Sequence, residues 1–328
     1  MTGDGVKPGT AEEPGAGFAE TRAVIDIGSN SIKLRVIRRE ENALRVLIDR
    51  TELVRMGQGL ENGIIAETAM RHGAETIQRM ARTAAEMDAD LIVVGTIALR
   101  SARNAEVFIR QVREETGLAV EILSEEQEAH LAWLGAVHSL GVQGGDIAVL
   151  DIGGGSTQFV VSADSRITRS ASIPIGTVNL TEKFFAAEPV EPDTVEKAVR
   201  YVRDAFVSGG AAPAPGFSVI AMGGGVLALA SVKQRFPAFI PGKLDGTFLT
   251  RADIAAQRDL YASTSLAERM KIAALPPKRA DIVLAGACIA QCALEVLRAD
   301  SFRVSINGLR HGLLLKMFGD SARGLRLA

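Results

Sequence analysis

One short string occurs twice in this chain. AVIDIGSNSIKLRVI begins at Ala23 and AVLDIGGGSTQFVVS at Ala148; both fit A-V-x-D-I-G-x-x-S, with Asp26 and Asp151 in register 125 residues apart. A period that long is not the short repeat of a solenoid, so it predicts two related domains. The length of 328 residues agrees, because a single hydrophobic core stops growing well before that size.

In each copy the residues before the aspartate form a short apolar run of strand character, and the Gly, Ser and Asn residues after it form a turn. The residues beyond the turn separate loop families. Ile32, Leu34 and Val36 alternate with Lys33 and Arg35, while Phe159, Val160 and Val161 are β-formers, so each loop joins two strands. A dinucleotide fingerprint must open a helix, and the G-x-x-x-x-G-K-[ST] string of a nucleotide-binding P-loop is absent. Each repeat reads as an Asp-bearing hairpin turn.

Between the hairpins the pattern predicts helices at 67–87, 105–116 and 125–140 and strands at 91–94 and 119–123. Beyond the second hairpin it predicts a helix at 192–207, a strand at 217–221, a turn at 223–225 and a helix at 226–234. A buried helix follows within 280–297, then a strand at 302–306 and a last helix at 309–318. Alternating strands and helices make α/β layers. The expected division is a loose tail over 1–21, domains over 22–140 and 141–308, and a terminal helix and tail over 309–328 that is free to return to the first domain. The tail expectation rests on few large apolar groups among many Gly, Pro, Thr and Glu residues. The final SARGLRLA is expected to fray.

A formal net charge of −2 supplies no global field for nucleic acid, so an anionic ligand must be held by a local cluster. No apolar run reaches the roughly 18 residues of a membrane span, and the first residues lack a secretory signal, so a cytoplasmic protein without membrane partners is expected. Cys288 and Cys292 lie in the apolar run and read as packed thiols. That helix reads as domain core, with a homodimer seam as the alternative. The four histidines are scattered, and His130 and His138 are wrongly spaced for a pair of ligands on one helix face.

Three glycine-rich turns carry the chemistry: Gly28 to Ser31, Gly153 to Ser156, and Gly223 to Gly225. Glycine lets a backbone approach an anion and aim successive N–H groups at it, and Ser and Asn side chains add donors. Two such turns across a cleft would clamp one terminal phosphoryl group. Asp26 and Asp151 end apolar strands, where an unpaired carboxylate is costly. Either each caps its own turn, or a divalent cation, Mg2+ held largely through water, neutralises them together with a phosphate chain. Hydrolysis also needs a group to deprotonate water. Glu125, Glu126 and Glu128 open a helix, but Ser124 and Gln127 complete a capping box there, and acids in a first turn also answer the helix dipole. Composition and spacing select no base among them.

The strings DIGSNSIKL, GTIALRSARN, SEEQEAHLAWLGA, VLDIGGGSTQFVV, AMGGGVLALA, LPPKRADIVLAG and VSINGLRHG, in this order, span nearly all of Ala23 to Gly312. Together they resemble the exopolyphosphatase and guanosine pentaphosphate phosphohydrolase family. The resemblance implies two ribonuclease H-like domains of the actin-like ATPase (ASKHA) class, α/β throughout, with the active site in the interdomain cleft. It implies processive removal of the terminal phosphate of inorganic polyphosphate, with guanosine pentaphosphate as the alternative substrate and Mg2+ as cofactor. Gly28, Ser29, Asn30, Ser31 and Lys33 fall on the first phosphate loop, and Gly153, Gly154, Gly155 and Ser156 on the second. Arg100 falls on a phosphate-contacting arginine, Glu128 on the general base, and Asp151 on the metal-linked aspartate, with Asp26 and Glu128 as further acids near the cation. A long polyanion also calls for a cationic track, for which Arg55, Arg100, Arg103, Lys278, Arg279 and Arg310 are the candidates.

Three residues depart from the family pattern. Gln158 stands where an acid is usual after GGGST, Gln127 replaces the first acid of the helix motif, and Lys33 replaces an arginine, a point charge in place of a bidentate fork. Gln158 also motivates a reading of another class, a phosphoanion-binding regulatory protein with little turnover. A sugar-kinase reading would require ATP and an acceptor hydroxyl.

Overall fold

The structure, a computed structural model, describes residues 20–142, 144–188, 190–211, 215–322 and 325–327. Of the tail expected over 1–21, residues 1–19 lie outside the described residues, and Thr21 already opens the first strand.

The first half runs β1 (Thr21–Ile27), β2 (Ser31–Arg39), β3 (Ala43–Leu53), α1 (Glu67–Ala85), β4 (Asp90–Gly95), α2 (Ile97–Ser101), α3 (Ala105–Thr116), β5 (Val120–Ile122) and α4 (Glu125–Ser139). The second half runs β6 (Ile147–Ile152), β7 (Thr157–Ala163), β8 (Arg166–Ile173), α5 (Thr177–Phe184), α6 (Pro192–Ser208), β9 (Ser218–Met222), α7 (Gly224–Lys233), β10 (Phe248–Thr250), α8 (Arg251–Ala262), α9 (Leu266–Arg269), α10 (Val283–Leu297), β11 (Ser301–Val304), α11 (Leu309–Phe318) and β12 (Arg326–Leu327).

Among the described residues two six-stranded sheets result, ordered β12-β3-β2-β1-β4-β5 and β10-β11-β9-β6-β7-β8. Without the outermost β12 and β10 the orders are the same: an antiparallel three-strand meander whose first strand continues into two parallel strands. The repeat is therefore duplicated topology, two ribonuclease H-like units in the actin-like arrangement. β1 and β6 are central strands covered on both faces, which is why their sequences are continuously apolar.

Local chemistry sets the helix ends. Ser124 Oγ accepts from the Gln127 amide and Gln127 Oε1 accepts from the Ser124 amide, the expected capping box at α4. Gly117 ends α3 in the left-handed region. The third glycine turn differs from expectation. Only Gly223, at φ 109°, is a turn residue, and Gly224 and Gly225 already belong to α7.

α10 packs into the core of the second half with Cys288 and Cys292 buried and unbridged. Most of its surface is used by that core. Each buried Leu, Ile or Val there contributes roughly 1.5–3 kcal/mol. The closing segment departs from the frayed tail expected of it, since β12 pairs in parallel with β3. α11 returns to the first sheet, where Leu309, Leu313 and Leu314 pack with Val24, Ile37 and Val94. α4 covers both sheets, meeting α11 through Leu131 and packing Ala129, Ala132 and Trp133 against Val149, Val160 and Ile220. The α4–α11 crossing is tight: a Cβ on Gly312 would lie 2.0 Å from the Leu131 carbonyl oxygen.

Candidate active site

The two hairpin turns have the same internal bond. Gly28 N–H donates to Ser31 O at 3.1 Å, and Gly153 N–H donates to Ser156 O at 2.9 Å. Each turn is also held from behind. The first receives Val54 and Arg55 N–H on Asn30 O, and Gly57 N–H on Ser29 O at 2.7 Å. The second receives Thr177 N–H on Gly153 O, Val178 N–H on Gly154 O and Asn179 Nδ2 on Gly155 O, at 2.8–2.9 Å. In a trans peptide the carbonyl and the following N–H point in opposite directions. Drawing these carbonyls backward therefore turns the N–H groups of Asn30, Ser31, Gly154, Gly155 and Ser156 away from the supporting segments.

The turns face one another across the boundary of the two sheets. A Cβ on Gly155 would lie 2.7 Å from Ser29 Oγ and 3.2 Å from Ile97 Cγ2, and one on Gly154 would lie 3.1 Å from Asn30 Cβ. Both turns line a single cleft of about 800 Å³, together with Asp26, Lys33, Thr96, Glu128, Asp151, Gln158 and Gly223 to Gly225. Ser29 Oγ is buried there without a hydrogen-bond partner.

The hairpin register places one polar residue opposite each aspartate. Asp26 faces Lys33 across β1 and β2, and Asp151 faces Gln158 across β6 and β7. Lys33 Nζ lies 3.6 Å from Asp26 Oδ2. Loss of hydration raises the pKa of Asp151, an effect that Lys33 opposes and Asp26 reinforces. Gln158, only 2% exposed, donates from Nε2 to Ser156 Oγ at 3.2 Å, while its Oε1 is buried and unpartnered.

Glu128 is the buried acid of the α4 first turn; Glu125 and Glu126 are exposed. Burial raises its pKa to about 7, the Arg100 guanidinium holds it from rising further, and Asp151 and Asp26 push upward. A carboxyl poised there suits a general base near neutral pH.

The remaining sequence candidates are distributed differently. Arg100 is absent from the cleft lining; its Nη1 donates to Glu128 Oε2 at 2.8 Å and to Leu123 O at 2.7 Å. Among the proposed track cations, Arg279 and Arg310 line the cleft, but Arg279 Nη1 donates to Gly224 O and Arg310 Nη1 to Asp49 Oδ1. Arg55 pairs with Asp281 at 2.9 Å, and Arg103 donates to Asn62 O. The five arginines are thus each engaged by protein groups, and Lys278 is absent from the cleft lining. Arg35, outside the expected site, is buried in the cleft wall between Asp49 and Asn307. The supporting residues Gly176 and Asn179 also went unmarked in the sequence. Gly176 is forced by contact, since a Cβ there would lie 2.3 Å from the Gly154 carbonyl carbon.

Comparison with known proteins places this geometry. The sequence matches the Ppx/GppA phosphatase family over residues 35–320. A bifunctional 3-dehydroquinate synthase/phosphatase of Fusobacterium nucleatum is 27% identical over 90% of this chain and 46% of its own length. A guanosine-5'-triphosphate,3'-diphosphate pyrophosphatase of Vibrio vulnificus is 26% identical over 93% of this chain and 61% of its own. This chain thus spans about half to three fifths of those relatives. Among solved structures, the Ppx/GppA family member of Aquifex aeolicus is 30% identical, with a TM-score of 0.78 over 91% of this chain and 97% of its own. An exopolyphosphatase-like protein is 26% identical, with a TM-score of 0.84 over 91% of this chain and 98% of its own.

Proposed function

Because this chain belongs to the Ppx/GppA phosphatase family, we propose that its cleft hydrolyses the terminal phosphoanhydride of a linear phosphate chain, inorganic polyphosphate being the substrate. The contact of the two Asp–Gly turns carries the reading, because it brings two sets of outward amides onto one small volume.

In this reading the amides and side chains of Gly28 to Ser31 and Gly153 to Ser156 hold the terminal phosphoryl oxygens. Lys33 offsets the charge beside Asp26. Glu128 takes a proton from the attacking water as the water oxygen bonds to the terminal phosphorus. The bridging P–O bond breaks, and its electron pair leaves on the shortened chain. Positioning and charge stabilisation supply most of the rate in such a transfer.

A divalent cation makes specific demands on the donor set. Among the described residues no three His, Cys, Asp or Glu side chains converge as a ligand cage. Asp26 and Asp151 nevertheless share the cleft, and the unpartnered Gln158 Oε1 is a neutral oxygen donor opposite Asp151. One or two carboxylates completed by water and phosphate oxygens is the usual holding of Mg2+, so the residues fit, with Asp151 first, Asp26 beside it and Glu128 within electrostatic reach. When bound, Mg2+ would neutralise charge developing on the phosphate oxygens.

The Vibrio relative's name favours a second reading, the 5'-phosphohydrolysis of guanosine pentaphosphate. Side-by-side phosphate release from polyphosphate and guanosine pentaphosphate, with and without Mg2+, tests both. Release from polyphosphate supports the first reading and release from the nucleotide alone supports the second. Tight binding without release from either substrate would make the protein a phosphoanion sensor.

A further inference from the structure

Arg100 was expected on phosphate, yet it is engaged with protein on the inner side of α4. It stands on α2, the short helix that leaves β4 through Thr96, whose N–H donates to Ile27 O at the end of β1. One terminal nitrogen, Nη1, reaches both Leu123 O, just before the α4 cap, and Glu128 Oε2, one turn inside the helix. A single planar group therefore spans the cap and the acid. Glu128 has no other hydrogen-bond donor to its carboxylate among the described residues. Without this tether, a glutamate with three rotatable bonds has no fixed orientation in the cleft.

We propose that Arg100 is a positioning residue for the hydrolytic step, holding the Glu128 carboxylate toward the attacking water instead of binding substrate phosphate. The inference rests on the phosphohydrolase reading of the cleft. Its physical basis is directional: a lone carboxylate samples rotamers, and misplacement of a base by about 1 Å can cost a hundredfold in rate. Arginine suits the task because the two N–H groups of Nη1 lie in the fixed plane of the guanidinium and reach a carbonyl and a carboxylate together, whereas a lysine ammonium acts as a freely rotating point charge. The second terminal nitrogen, Nη2, is buried with no partner. That leaves the rival role, a bond from Nη2 to the substrate, open to the same experiment.

The full chain is assayed as wild type, Arg100→Ala, Arg100→Lys, Glu128→Gln and the Arg100→Ala/Glu128→Gln double variant, with tripolyphosphate and Mg2+. The expected result for Arg100→Ala is a loss of kcat of about a hundredfold, with KM changed less than about threefold. Guanidinium ion should recover part of that loss, and the double variant should be no slower than Glu128→Gln alone. Arg100→Lys keeps the charge and the fold but should recover little of the rate. A large rise in KM with kcat retained would overturn the proposal in favour of phosphate contact, and so would multiplicative losses in the double variant.

The same four variants are also unfolded in urea, where the pairing is read without turnover. Non-additive midpoint shifts are expected, and additive shifts would overturn the tether itself. If wild type releases no phosphate from any substrate while the urea cycle still shows coupling, the enzymatic reading fails and the Arg100–Glu128 pairing stands apart from it.

Discussion

Gly155 and Ser29, on opposite phosphate turns, are so close that a methyl group on Gly155 would lie 2.7 Å from Ser29 Oγ. The neighbouring Ile97 Cγ2, at 3.2 Å, blocks sideways relief. Gly155→Ala is therefore expected to push the two turns apart and leave each hairpin folded. Overpacking of this kind costs roughly 1–3 kcal/mol of stability, and displacing one turn from the other by about 1 Å is expected to lower kcat/KM by about a hundredfold. Steady-state kinetics with a thermal melt check it. Full activity with an unchanged melting temperature would mean that the turns do not act as one clamp.

A base must be unprotonated to accept a proton. Burial raises the Glu128 pKa to about 7, so kcat/KM is expected to fall by tenfold per pH unit well below pH 7 and to level off above it. Glu128→Gln should lower kcat by about a hundred- to ten-thousandfold and abolish that acid limb. A pH profile from 5.5 to 9 with both proteins measures this, and an intact limb in the variant would assign it to another group.

The repeat places Lys33 opposite Asp26 and Gln158 opposite Asp151, so only the first aspartate has a charged residue across its hairpin. Gln158→Glu would add a second carboxylate beside Asp151 and is expected to tighten Mg2+ binding by about tenfold or more. Calorimetric titration of the substrate-free protein reads this directly. Unchanged affinity would remove position 158 from the cation's surroundings.

The hairpins were legible in the sequence because strand, turn and returning strand are all local, and the copy at 148 confirms the pattern at 23. β12 was not legible. Two residues carry no period, and their pairing with β3 depends on α11 having returned the chain to the first sheet. Glu128 shows the intermediate case. Helical spacing puts it on one face with Leu131, Ala132 and Gly135, all buried, but that face becomes a cleft wall only after α4 docks on both sheets. The role of Arg100 was hidden further, because its partner lies 28 residues away on another element. A motif match marks an arginine at this position, and only the packed structure shows its bond to Glu128.

His311 connects the site's frame to pH. It lies fully buried on α11, with its Nε2 3.0 Å from His138 Nδ1 on α4, beside the Gly312 contact that brings these helices together. Burial, the nearby Arg35 charge and His138 hold its pKa well below 6.5, and burial lowers that of His138 as well. The unfolded chain takes up these protons near pH 6.5 and the folded chain resists them. The resulting stability is therefore fully present above about pH 6.5 and is lost progressively as pH falls below it. One such group contributes a slope of at most about 1.4 kcal/mol per pH unit. His311→Gln keeps a polar group facing His138 and cannot titrate. Its urea midpoint is expected to fall less than that of wild type between pH 7.5 and 5.5, and equal slopes would place the acid sensitivity of the α4–α11 crossing on other groups.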